Sequence, residues 1–98
     1  ETERDMAACL KTLIAGQGTM MSGSIATLKK RYVAPEEKNF GPVIDKAQRS
    51  WIAWRDAECD LKTFDSRGGS GFATLLLSCR FELNGERIKT LKEMEDSP

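Results

Sequence analysis

Apolar residues recur along this chain at spacings of three and four, and no stretch sustains the alternation of a half-buried strand. In "TERDMAACLKTLIAG", Met6, Cys9, Leu10, Leu13 and Ile14 follow the i, i+3, i+4, i+7, i+8 pattern of one helix face. Thr2 and Asp5 stand at capping-box spacing before it. Gly16 and Gly18 are expected to end this helix, and "GQGTMMSGS" reads as a loop. A second, short helix is expected from about Ser24 to Val33, with Ile25, Leu28 and Tyr32 on one face and Pro35 stopping it. "PEEKNFGP" fits one helical turn, with Pro35 in a first-turn position and Glu36 and Glu37 at the positive helix end.

Gly41-Pro42 then opens what the pattern predicts to be the longest helix. Val43, Ile44, Ala47, Trp51, Trp54, Glu58 and Leu61 are three or four apart, which predicts one buried stripe ending near Asp65. After "SRGGSG", a last helix carries Phe72, Leu75, Leu76, Cys79 and Leu83, then Ile88, Leu91 and Met94. "NGE" at 84–86 reads as a bend or a tolerated glycine, and "EDSP" as a frayed end. The expectation is an all-α fold: a small helical bundle built on a long antiparallel helical hairpin.

The cysteines sharpen that picture. Cys59 and Cys79 lie about ten residues either side of the Gly68-Gly69 turn. Equal climbs of about 1.5 Å per residue bring both to one height on an antiparallel hairpin. A disulfide there is geometrically reasonable, and closing a loop of about 20 residues stabilises by roughly 3 kcal/mol. The alternative is two reduced, buried cysteines. A disulfide implies an oxidising compartment. Cys9 is left over, free or paired with another cysteine outside the sequence or on a second chain.

Composition narrows the chemistry. Ninety-eight residues make one domain, 1–98, with little volume for a deep cleft. Fifteen basic and fifteen acidic residues give no net charge, against a nucleic-acid binder. Without histidine, neither Ser-His nor Cys-His catalysis can be built, and the cysteines form no zinc-type pair. No cofactor or metal is expected, and no apolar run is long enough to span a membrane. No leader is visible at the start, so a signal peptide or lipid anchor, if the protein has one, precedes residue 1.

"AQRSWIAWRDAEC", "GGS", a later cysteine, "ER" and a leucine resemble the LprI-like family of small secreted or lipid-anchored bacterial proteins. That family shows "QRxWxxYRDxEC…GGS…C…R…L". Gln48, Arg49, Trp51, Arg55, Asp56, Glu58, Cys59, Gly68, Gly69, Ser70, Cys79, Arg87 and Leu91 match it, and Trp54 stands where Tyr is usual. The match covers residues 45–91. The resemblance implies an exported, helical domain, periplasmic, secreted or on the outer surface. It further implies a protein partner of the lysozyme kind, since the family is named for a lipoprotein that inhibits lysozyme.

Each motif carries a plain and a sharper reading. Trp51 and Trp54 read as core, against a sugar-stacking platform. Arg55 reads as a structural clamp toward Glu58 or a neighbouring helix, against a ligand for a partner's carboxylate. It is not expected to face its neighbour Asp56. Asp56 and Glu58, two apart on a helix, point to different sides and do not make a hydrolase pair. The glycine turn reads as a hairpin connection with Ser70 capping the next helix. Arg67, Gly68, Gly69 and Ser70 are the candidate partner-binding residues, with Arg67 at the tip. Met20 and Met21 read as core or loop, and "LKKRY" as a solvated face. The functional expectation is an inhibitor of lysozyme-type muramidases that acts by steric occlusion and has no catalysis of its own. The alternative is an envelope structural or interaction module.

Overall fold

A computed structural model describes residues 2–97, and among these it contains three long helices and no strand. Helix α1 runs Glu3–Arg31, α2 Phe40–Lys62 and α3 Phe72–Asp96, with single 3₁₀ turns at Pro35–Glu37 and Phe64–Ser66. The all-α expectation is met. The turn after Pro35 forms as expected, and α3 passes through "NGE" unbroken.

The first half departs from expectation. One unbroken 29-residue helix replaces two helices and a loop, so α1, not α2, is the longest. Gly16, Gly18 and Gly23 each cost about 1 kcal/mol in a helix. Packing outweighs that cost, because Gln17, Met21, Ser24 and Leu28 are all buried along one face. Two of those four are polar, so the apolar pattern shows a gap where the buried face has none. The expected capping box at the start of α1 is present: Asp5 N–H donates to Thr2 Oγ1, and Thr2 N–H donates to Asp5 Oδ2.

The helices run up, down and up. Cys59 of α2 is bonded to Cys79 of α3, with Cα atoms 5.7 Å apart. That confirms the disulfide-tied antiparallel hairpin. The most extensive packing, however, is between α1 and α3, and these two are parallel. Near one end, Glu3 Oε1 accepts from Thr74 N–H in the first turn of α3 (3.2 Å). At the other, the Arg31 guanidinium donates to the carbonyls of Met94 (2.9 Å), Ser97 (3.1 Å) and Glu95. Both sets of contacts satisfy backbone groups that a helix end leaves orphaned. Gly71, not Ser70, precedes α3, and no side chain caps from that position. Glu3 supplies, through its carboxylate, the capping acceptor expected of Ser70's hydroxyl.

The core is small: Met21, Leu28, Ile44 and Leu91, with Ile25, Tyr32, Phe40, Trp51 and Ile88 against it. Tyr32 and Phe40 stack with centroids 4.0 Å apart where α1 turns into α2. The predicted α2 stripe is buried only in part: Ile44 and Trp51 join the core, and the rest of its apolar line does not. Val43 is 62% exposed, Trp54 48% and Leu61 71%, and Ala47 and Met20 are exposed as well. Helix α2 instead turns inward the line Ile44, Gln48, Arg55 and Cys59, because two parallel helices must be met at once and the disulfide fixes its rotation.

Candidate functional site

Several of the matched motif residues, Gln48, Trp51, Arg55, Asp56 and Arg87, lie along the α2–α3 seam. Arg55, only 15% exposed in its side chain, donates from Nη1 to Asn84 Oδ1 (3.0 Å). Its Nε and Nη2 donate to Asp56 Oδ1 at 3.0 and 2.8 Å. Adjacent helix residues do pair here, contrary to expectation: the long guanidinium folds back along the seam, which short side chains cannot do. Arg55 makes no bond to Glu58, whose carboxylate lies 3.9 Å from Lys62 Nζ. Arg80 Nε approaches Asp56 Oδ1 to 3.5 Å from α3.

One turn further along, Arg87 Nε donates to Gln48 Oε1 (3.0 Å), and Gln48 Nε2 reaches Met21 Sδ on α1 (3.4 Å). Half-buried Trp51 lies between two guanidinium groups, Arg55 at 5.6 Å and Arg87 at 5.7 Å from its ring. Burial lowers the Arg87 pKa from its ordinary value, though an arginine stays charged throughout any working range. Arg49 is exposed.

Behind this seam lies a buried polar relay that sequence inspection missed. Asn84 Nδ2 donates to Gln17 Oε1 (3.0 Å), and Gln17 Nε2 donates to the Phe81 carbonyl (3.0 Å). Asn84 is 1% exposed and Gln17 8%. Their only trace in the sequence is a polar residue at helical spacing from buried apolar ones. The relay ties all three helices. Arg55 thus bonds through all three guanidinium nitrogens, inward to Asn84 of α3 and along its own helix to Asp56.

The turn between α2 and α3 has a different character. Arg67, Gly68, Gly69 and Ser70 are all exposed. Arg67 Nε donates to the Phe64 carbonyl (2.9 Å), and its guanidinium carbon lies 3.5 Å from the Phe64 ring centroid. Gly68 adopts φ +81°, where a side chain is strained. A cation is thus held over an exposed ring at the end of the hairpin. Asp56 and Glu58 engage different cations, Arg55 and Arg80 for the first and Lys62 for the second. Among the described residues no three potential ligands group for a metal, and no helix is long and apolar enough to cross a membrane.

These features define a disulfide-tied three-helix protein in which Arg55, Gln48 and Arg87 of the motif bond across helices and the hairpin end presents an arginine. Residues 1–91 match the family model described as "Lysozyme inhibitor LprI", and the chain belongs to that family. It is also 44% identical over 54 residues to an uncharacterized protein of Rhizobium meliloti (strain 1021). That alignment covers 55% of this chain and 39% of the relative, so the chain spans well under half of the relative's length. No solved structure matches the chain.

Proposed function

We propose that this chain is an exported bacterial envelope protein that binds a lysozyme-type muramidase and inhibits it by steric occlusion, without catalysis of its own. The family match over residues 1–91 carries this reading. The hairpin end supports it: Arg67 is exposed and pre-ordered over Phe64, so little side-chain freedom is lost on contact. Muramidases of this type work with two cleft carboxylates, and a guanidinium is suited to engage a carboxylate. Arg67, Gly68, Gly69 and Ser70 are the proposed contact.

The test is turbidity clearing of cell-wall suspensions by lysozymes of several classes, with wild type and with Arg67→Glu. Inhibition by wild type at micromolar protein, weakened at least about tenfold by a substitution costing 1.4 kcal/mol or more of binding, is expected. No inhibition of any class would remove the reading. A second reading, an envelope interaction module with another protein partner, draws on the exposed line Val43, Trp54 and Leu61 on α2. Solvent-exposed tryptophan flanked by aliphatic residues is typical of interface anchors. Absence of inhibition of every lysozyme class is what this second reading expects, whereas inhibition unaffected by Arg67→Glu but abolished by Trp54→Ala would keep the inhibitor reading and move its contact to this line.

A further inference from the structure

The α1–α3 layer is covered by α2 on one side only. On its other side runs a heptad pattern that the chain itself leaves unused. Met6, Leu13 and Met20 are 46%, 47% and 50% exposed, and Cys9, Gly16 and Gly23 form the second line of the same repeat. A groove of about 300 Å³ between Met6, Cys9 and Leu10 of α1 and Thr74 and Ser78 of α3 marks this side of the layer. Seven residues after Ser78 comes Gly85, again in mid-helix. A Cβ at Gly16, Gly23 or Gly85 would meet nothing within 4 Å. Each of these glycines weakens its helix relative to alanine, and no contact inside the chain requires its small size.

We propose that this face is the interface of a two-fold homodimer, with α1 antiparallel to α1 of the second copy and α3 antiparallel to α3. Gln17 and Asn84 are bonded, so residue 18 of α1 and Gly85 of α3 lie at nearly one height. A two-fold axis at that height sets Leu13 against Gly23 of the second copy, Met20 against Gly16, and Gly85 against Gly85. Large residues thus fall into glycine gaps, as ridges fall into grooves.

Charge agrees with this register. It sets Asp5 beside Lys30 of the second copy, and Glu82 beside Lys89, on matching flanks. Among the described residues, none of these four is in an ion pair within the chain. Each pairing occurs twice by symmetry, which makes the surface self-complementary. A molecule of 53 × 25 × 17 Å has room on this side for the about 800 Å² per partner of a standard stable interface.

The register separates this dimer from a parallel one through Cys9. Cys9 faces Thr27 of the second copy and, 18 residues from its own counterpart, lies about 27 Å from that Cys9 at 1.5 Å per residue. The experiment uses the full chain with the Cys59–Cys79 bond intact. Light scattering behind size exclusion should give twice the 10.9 kDa chain mass in the micromolar range. Leu13→Glu and Gly85→Glu, at exposed positions, should each weaken dimerisation at least about tenfold with unchanged helical circular dichroism. Under mild oxidation, Thr27→Cys should cross-link through Cys9, while Lys11→Cys, on the opposite side of α1, should not. A monomer at every concentration overturns the proposal. So does a Cys9–Cys9 bond in the wild type, which requires parallel chains, or equal cross-linking by the two cysteine variants. The Thr27→Cys result stands even where a glutamate variant fails to fold.

Discussion

Asn84 of α3 and Gln17 of α1 meet side chain to side chain at 3.0 Å inside the bundle, and the pair joins helices 67 residues apart in sequence. Each is spoken for again, Asn84 by Arg55 of α2 and Gln17 by the Phe81 carbonyl. A buried polar group with every partner in place specifies register, whereas one left unpaired costs about 1–3 kcal/mol.

Asn84→Ala should therefore be expensive. It strands Gln17 Oε1 and one guanidinium N–H of Arg55 together. The expected loss is about 3 kcal/mol, two partly relieved unpaired groups plus a small cavity. Urea unfolding followed by circular dichroism measures it. A loss below about 0.5 kcal/mol, the range of ordinary surface changes, would mean the relay is not maintained in solution.

Removing the sulfur bond should cost a comparable amount. Cys59→Ser with Cys79→Ser reopens a loop with a sequence separation of 20, worth about 3 kcal/mol. For a domain of this size that lowers Tm by roughly 12–24 °C. Calorimetry of the double variant beside the wild type gives the figure, and an unchanged Tm would show that packing alone sets the α2–α3 hairpin.

Arg31→Ala should act locally. The guanidinium holds three carbonyls at the end of α3, so its loss should fray the last turn at a cost of about 1 kcal/mol. Hydrogen exchange should speed up at residues 94–97 and remain unaltered near Cys79. Uniform acceleration along α3 would mean that Arg31 supports the whole layer.

Gly18→Ala should stabilise. The added Cβ meets nothing within 4 Å, and alanine is better than glycine in a helix by about 1 kcal/mol. Thermal denaturation should show a higher midpoint. A lower one would show that residue 18 departs from helix in solution.

The helical class, the α2–α3 hairpin and the Cys59–Cys79 pairing were legible because they rest on local periodicity and on equal distances from one glycine turn. The single α1 helix was not, since Gln17 and Ser24 occupy its buried face and glycine signals a break unless packing outweighs it. Nor was the exposure of Val43, Trp54 and Leu61 on α2. Apolar spacing reports that a helix has a stripe, and does not report which line of the helix a crossed neighbour will cover. Among the motif residues, Arg55, Asp56 and Arg87 could be named as structural candidates from their pattern. Their actual partners Asn84, Arg80 and Gln48 were not readable, because hydrogen bonds between side chains on different helices leave no spacing rule.

The amino-acid order alone determined the all-helical class, the α2 and α3 segments and the turn at Gly68-Gly69, and it made the Cys59–Cys79 pairing geometrically reasonable, all consequences of backbone preference and separations of about 20 residues. Tertiary structure decided that α1 lies parallel to α3, that Glu3 and Arg31 serve the ends of another helix, and that Gln17 and Asn84 belong inside. Those choices join positions more than 60 residues apart, where only packing and the need to satisfy buried polar groups select one arrangement over its rivals.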